Sequence, residues 1–356
     1  MSGIFDNMLK SGESLFSNEI ALDFSFQPKI IPYRENEQRH IASCIKPLFN
    51  DRTGKNVFVY GMPGIGKTIA CKHILQELEE QTEDIMTIYI NCWQRNTTYK
   101  IMLELCDILD YKFTQNRKTE ELFNVVKQLL NRKSVVFVFD EVDKLEDFDF
   151  LYMISEEIYK KSIIIITNFK ELIVNLDQRI KSRLIPEMLE FMPYNLNETK
   201  GILKQRAEYA FVSNVLNEDA LDFIAKKTFD AQDIRKGLYI MRESANIAEN
   251  KSSKKILLGH AEEASSKISE LSVKNEEELS EDEKQILKLI SENSGRKIGE
   301  LYKLYSDKGN TLVYKSFQRK IEKLQKNKFI STERIEGGKE GNTTIVKHNI
   351  RKLSEF

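Results

Sequence analysis

The stretch Val57-Phe-Val-Tyr-Gly61-Met-Pro63-Gly64-Ile65-Gly66-Lys67-Thr68-Ile69 decides the fold. An apolar run stops at a glycine-rich loop and restarts as an amphipathic stretch over 69–80. Gly61, Gly64 and Gly66 let the backbone turn successive N–H groups inward, the requirement for cradling phosphates. Pro63 to Ile69 are therefore the candidate phosphate contacts. Lys67 supplies a mobile cation for the β/γ-phosphates, and the Thr68 hydroxyl is placed to ligate Mg²⁺ at a helix start. That helix end adds roughly +0.5 of a charge. The G-x-x-x-x-G-K-T spacing is complete and both flanks have the demanded pattern, which disfavours a chance glycine turn.

Outward from this loop, apolar runs recur. Strands are predicted over 56–60, 86–90, 135–139, 162–167 and, shorter, 188–191, with helical patterns over 38–49, 97–109 and 119–130 between them. Strands alternating with helices imply a parallel, doubly wound sheet with ligand groups at the strands' carboxyl ends. Asp140-Glu141 and Asn168 lie at such ends. An aspartate there can hold the Mg²⁺ shell, and a neighbouring glutamate can deprotonate attacking water. Asn168 is placed to position the same water. Arg179 and Arg183, four apart, share a helix face, so one of them can reach a neighbouring subunit's γ-phosphate; a surface basic pair is the bland alternative. Arg235 opens a helix in a region that is helical throughout, over 198–211, 218–228 and 233–250. Another helix is expected over 256–271.

The four cysteines, Cys44, Cys71, Cys92 and Cys106, form no C-x-x-C pair, and there are only four histidines. This argues against a cysteine- and histidine-based metal site and for a reduced cytosolic compartment, with buried, inert thiols as the bland reading. Residues 1–28 read as an irregular lead-in without a secretory apolar core, and no run reaches the ~18–20 apolar residues of a membrane span. A cytoplasmic, nucleoid-associated protein without a membrane partner is expected.

Net charge is −1, but it is unevenly spread: residues 280–356 carry 17 Lys+Arg against 11 Asp+Glu. An acidic body with a basic tail module points to an anionic partner for the module. The acidic stretch over 269–283 reads as a linker. Beyond it come three helical patterns and a hairpin around Gly337-Gly-Lys339-Glu-Gly341, the composition of a winged helix-turn-helix. The helix over 314–328 sets Lys315, Arg319, Lys320 and Lys323 against an apolar face of Val313, Phe317, Ile321 and Leu324. Basic residues facing outward suit a major groove; an ordinary solvated face is the alternative.

The order of parts resembles the AAA+ ATPases, and within them the archaeal Orc/Cdc-type replication initiators. The phrases carrying the resemblance are Ile31-Pro-Tyr33-Arg34-Glu, the P-loop, Phe139-Asp140-Glu141-Val-Asp143, Ile166-Thr-Asn168, Leu176-Asp-Gln-Arg179-Ile-Lys-Ser-Arg183, Phe191-Met-Pro-Tyr194, Ile202-Leu-Lys-Gln-Arg206 and Asp233-Ile-Arg235. It implies an α/β AAA+ P-loop parallel-sheet domain over 1–193, an all-helical lid over 194–272 and a winged-helix DNA-binding domain over 273–356. It further implies ATP or ADP with Mg²⁺ as cofactors and a slow, switch-like ATPase. Ile31, Tyr33, Arg34, Tyr194 and Arg206 would lie on the nucleotide side. Asn168 and Arg235 would be the two sensors, Arg179 or Arg183 the arginine finger. Residues 91–109 align with a helical insertion that also touches DNA. The implied partners are double-stranded origin DNA, the MCM helicase and other initiator subunits. The sequence departs from the family at Tyr33, at Gln232 and Ile234 beside the second sensor, and in the less basic wing. A DNA-binding regulator holding a static nucleotide, and a transposition or plasmid-partner ATPase, are the alternatives.

Overall fold

In a computed structural model, the described residues are 14–277, 279–308, 312–326, 329–335 and 343–348. They divide into two compact units, Met1–Ser265 and Ser266–Phe356.

The first unit begins with a 3-10 turn at Glu19–Leu22, then α1 (Glu35–Ile45), β1 (Val57–Tyr60), α2 (Lys67–Gln81), β2 (Ile85–Asn91), α3 (Thr98–Ile108) and α4 (Thr119–Leu130). It continues with β3 (Ser134–Asp140), α5 (Asp149–Glu157), β4 (Lys161–Thr167), the single turn α6 (Leu172–Asn175), α7 (Gln178–Leu184) and β5 (Glu187–Glu190). The five strands are parallel in the order β2-β3-β4-β1-β5. Every residue of β3 and β4 is buried, because helices cover both faces and leave no side for water. Alternation divides the strands' apolar residues between two cores. Phe58, Phe137, Phe139 and Ile165 pack with α3, α4 and α5, where Phe139 meets Phe150 edge-on at 4.8 Å. Val59, Val136, Val138 and Ile166 pack with α1 and α2.

The parallel order places β1 between β4 and β5, so the loop leaving β1 opens beside the ends of β3 and β4. Three helices follow the sheet: α8 (Leu196–Ala210), α9 (Glu218–Ala231) and α10 (Ile234–Asn250). Each starts at a polar cap, Asn195, Asn217 and Asp233, whose side chain accepts from a first-turn N–H. Residues 14–28 of the lead-in are more ordered than the sequence predicts, and residues 1–13 lie outside the described residues. Ala21 and Leu22 are fully buried, Phe16 bridges to Phe211, and Arg206 reaches back to donate to Ala21 O (3.0 Å) and Phe26 O (3.1 Å).

The expected linker over 269–283 is corrected. Helix α11 (Leu258–Glu277) runs through most of it. The sequence has neither glycine nor proline between Gly259 and Gly295, so the acid run adds charge without breaking the backbone.

The second unit holds α12 (Glu281–Glu292), β6 (Arg296–Lys297), α13 (Ile298–Asp307), α14 (Tyr314–Lys326), β7 (Ile330–Ile335) and β8 (Thr343–His348). The strands form an antiparallel sheet in the order β6-β8-β7. Ile286, Ile290, Leu301, Phe317, Ile321 and Leu324 make its core. Val313 does not join this face: it precedes the helix and is 70% exposed.

Candidate nucleotide site and basic helix

Lys67 and Thr68 open α2 with their side chains turned toward the ends of β3 and β4. The Lys67 ammonium donates to Gly61 O (2.9 Å), Met62 O (2.7 Å) and Asn168 Oδ1 (2.9 Å). Thr68 Oγ1 donates to Asp140 Oδ2 (2.7 Å), and Tyr89 OH donates to the same oxygen (2.8 Å). The Glu141 N–H binds Asp140 Oδ1 at 2.9 Å. Glu141 itself stands in the left-handed region (φ 56°), a turn that swings its carboxylate off the strand axis. Asp143 supports the next tip, accepting from Thr167 Oγ1 at 3.1 Å.

Electrostatics separates the charged groups. Burial pushes Lys67 down to about 8, against the opposing pull of Asp140 and Asp143. Burial, then Asp140 and Asp143, hold the Glu141 carboxyl above its ordinary range, which favours a proton acceptor. Free of nucleotide, Lys67 loses its proton above about pH 8; phosphates favour its charged form. Nucleotide binding between pH 8 and 9 is therefore expected to take up a proton. Calorimetric titration in two buffers of different ionisation enthalpy should show this, with less uptake at pH 6.5.

The helical region closes on the loop. The Ile234 N–H at the start of α10 donates to Gly64 O at 3.2 Å. Asp233 leans so closely on Gly64 (φ 78°) that a Cβ there would lie 2.1 Å from Asp233 Oδ1, which only glycine tolerates. Arg235 grips the same carboxylate, NH2 to Asp233 Oδ2 at 2.7 Å and Nε to Oδ1 at 2.9 Å. A Cβ on Gly66 would meet Tyr194 OH at 2.7 Å.

The resulting cavity is lined by Ile31, Pro63, Gly64, Gly66, Lys67, Thr68, Ile69, Asp140, Glu141, Asn168, Tyr194, Arg206 and Arg235. Three predicted contacts stand behind it. The Ile65 side chain is buried in the sheet core. Tyr33 (φ 65°) points its hydroxyl at Gly201. Arg34 is buried, donating to Ile65 O (2.9 Å), Met192 O (2.6 Å) and Tyr194 OH (3.0 Å), with its guanidinium 4.0 Å from the Tyr194 ring centre. It braces the wall rather than forming it. Arg179 and Arg183 lie away from the cavity, paired with Asp177 (3.2 Å) and Glu156 (2.7 Å) and largely exposed.

Sequence reasoning missed Phe24, Ser25, Gln27 and Pro28, which line the cavity from the lead-in. Its only signal was the apolar spacing 20–26 followed by Pro28. It also missed Tyr89, whose partner Asp140 becomes a neighbour only through the β2–β3 register.

The residues fit Mg²⁺ and nucleotide. Glycines whose Cβ positions are already taken leave backbone N–H groups bare at the loop, and Thr68 with Asp140 offers the hard oxygens Mg²⁺ requires.

On α14, Lys315 and Arg319 are exposed. Lys320 and Lys323 depart from the outward reading: they point to the start of α12. Lys320 Nζ lies 3.1 Å from Ser280 Oγ and 3.4 Å from Asp282 Oδ2, and Lys323 Nζ lies 2.9 Å from Glu283 Oε1. The acidic first turn that caps α12 draws them there. Lys339 lies outside the described residues.

Residues 50–172 match the family model for an AAA domain, and residues 200–266 that for a Cdc6 AAA+ ATPase-type lid domain. The chain is 33% identical over 279 residues to the ORC1-type DNA replication protein 1 of Sulfurisphaera tokodaii, covering 74% of this chain and 70% of that one. It is 33% identical over 329 residues to the corresponding Archaeoglobus fulgidus protein, covering 85% and 78%. Among solved structures, the Aeropyrum pernix ORC1 protein in complex with DNA superposes with a TM-score of 0.69 at 25% identity, covering 96% of this chain and 94% of that one.

Proposed function

The chain belongs to the ORC1-type DNA replication proteins, and on that premise we propose that it is an ATP-switched initiator that binds origin DNA and helps load the MCM helicase. What carries this reading is the convergence of Lys67, Thr68, Asp140, Glu141, Asn168 and Arg235 on one cavity. Bound Mg²⁺ would supply charge neutralisation at the phosphates, with Thr68 and Asp140 as its protein ligands. Lys67 orients the phosphates, Glu141 takes a proton from water, and Asn168 exchanges its hydrogen bond with Lys67 for one with that water. Arg235, held by Asp233 at the lid's leading edge, is positioned to exchange that carboxylate for a γ-phosphate. This exchange couples the nucleotide state to α10. Arg179 or Arg183, outside the cavity, would act on a neighbouring initiator subunit. Turnover is slow because the chain alone lacks that finger.

DNA contact is assigned to Lys315 and Arg319. Lys320 and Lys323 are assigned a lesser part, since part of their charge is already neutralised. The double change Lys315→Ala/Arg319→Ala is expected to lower DNA affinity and to reduce the slope of log K against log salt by about 0.9 for each phosphate no longer neutralised. Lys323→Ala should change the slope less. The test of function is fluorescence anisotropy with DNA from immediately upstream of the gene against scrambled DNA, at two salt concentrations, with ATP and with ADP. Preferential, nucleotide-dependent binding supports the initiator. Equal weak binding in every arm rejects specific recognition of that site.

A further inference from the structure

Where β5 starts, at the end of the sheet opposite the strands' carboxyl ends, three side chains of different chemistry meet. His40 and Cys44 are four residues apart on α1 and so share a face. Glu187 reaches them from the start of the edge strand β5. Its Oε2 lies 3.0 Å from His40 Nε2 and 3.5 Å from Cys44 Sγ, and one ligand atom from each of the three residues falls within 4.8 Å of the others. We propose that His40, Cys44 and Glu187 form a binding site for a thiophilic divalent cation of the Zn²⁺ class.

Both separations made by Glu187 come close to the ion's, while the His40 and Cys44 ligand atoms lie within 4.8 Å of each other, against about 3.6 Å around tetrahedral Zn²⁺. Tetrahedral Zn²⁺ with ordinary bond lengths sets its sulfur and oxygen ligands about 3.5 Å apart and its nitrogen and oxygen ligands about 3.3 Å apart. The Cys44–Glu187 separation is already 3.5 Å, and the His40–Glu187 separation of 3.0 Å needs a few tenths of an ångström of opening. The His40 Nε2 atom is shut off from solvent, yet its approach to Glu187 is misaligned for a hydrogen bond, leaving it unsatisfied. A cation between the two would satisfy both.

The surroundings also suit a ligand set. Lys55 Nζ holds the other carboxylate oxygen, Oε1, at 2.6 Å, which leaves Oε2 aimed at His40 and Cys44. Such an outer partner fixes a ligating carboxylate. Cys44 is fully buried, whereas the His40 and Glu187 side chains are 37% and 34% exposed, so the group lies at the protein's surface. On binding, the Cys44 thiol gives its proton to solvent, and the thiolate and carboxylate together balance the ion's two charges. The bound cation would fasten α1 to β5 and so hold the helix that Arg34 precedes.

The test uses the full-length, metal-stripped protein titrated with Co²⁺. One equivalent should bind and give a near-ultraviolet thiolate-to-cobalt charge-transfer band, which Zn²⁺ then displaces. Cys44→Ser should abolish the band, and His40→Ala, a change at a half-exposed position, should weaken Co²⁺ binding by about tenfold or more. Lys67→Ala should leave the band intact, separating this site from the nucleotide site. Absence of the band in the unaltered protein, or its persistence in Cys44→Ser, overturns the proposal. So does unchanged Co²⁺ affinity in a His40→Ala variant whose circular dichroism shows it folded.

Discussion

Lys67→Ala is expected to lower the affinity for both ATP and ADP by about 100-fold or more, near 2.7 kcal/mol. The lysine lines the cavity and its ammonium is folded back onto the loop carbonyls Gly61 O and Met62 O. A phosphate replacing those carbonyls receives charge-assisted hydrogen bonds, worth about 1.5–3 kcal/mol. The fold itself should not suffer. With its folded-state value lowered to about 8, the protonated lysine opposes folding at neutral pH, and this penalty fades only as pH rises from 8 toward the unfolded value of 10.5. Alanine removes that penalty together with three hydrogen bonds. Equilibrium binding of a fluorescent ATP analogue, beside thermal unfolding without nucleotide, separates the two effects. Lost binding with little change in melting temperature is the expected pair; retained tight binding would remove Lys67 from the phosphate site.

Glu141→Gln should behave differently. Nucleotide affinity is expected to stay within about threefold of the unaltered protein while turnover falls by about 10²–10³-fold, the range of a lost general base. The amide keeps the size and the left-handed turn at this position, so the loop geometry survives. What disappears is the proton acceptor, whose pKa burial, Asp140 and Asp143 hold above the usual carboxylate range. Release of ³²P-phosphate under single-turnover conditions checks this. Undiminished hydrolysis would move the role to another carboxylate. Asp140→Asn, by contrast, should impair Mg²⁺-dependent binding itself.

The nucleotide loop was legible because its residues are consecutive. Glycine spacing, an apolar strand before and an amphipathic helix after all occupy one short window, and β3 and β4 announce themselves by unbroken apolar runs. Asp140, Glu141 and Asn168 followed from strand ends. What escaped were roles set by pairing across long separations. Lys320 and Lys323 looked outward on a helical wheel, but the wheel omits Asp282 and Glu283, which draw them in. Arg34 carried the family's signature, yet its bracing of Tyr194 depends on residues 160 positions away. Helix α11 was expected as far as 271, but its continuation to Glu277 hid behind acid composition, which resembles a linker until the missing glycine and proline are considered. The His40, Cys44 and Glu187 group was illegible for the same reason: two members share a helix face, and the third arrives from 143 residues downstream.

The tie between Ile234 N–H and Gly64 O is made from surplus. Every helix begins with amide protons it cannot use, and α10 lends its first one to the loop. The bond is made backbone to backbone, so side-chain identity at 234 is irrelevant to the fastening and the bulky isoleucine costs it nothing. Proline alone would sever it. Proline is also at home in the first position of a helix, and Asp233 already has the extended backbone that a following proline demands. Lid and loop can thus be uncoupled by one ring closure that leaves both the helix and the phosphate cradle standing.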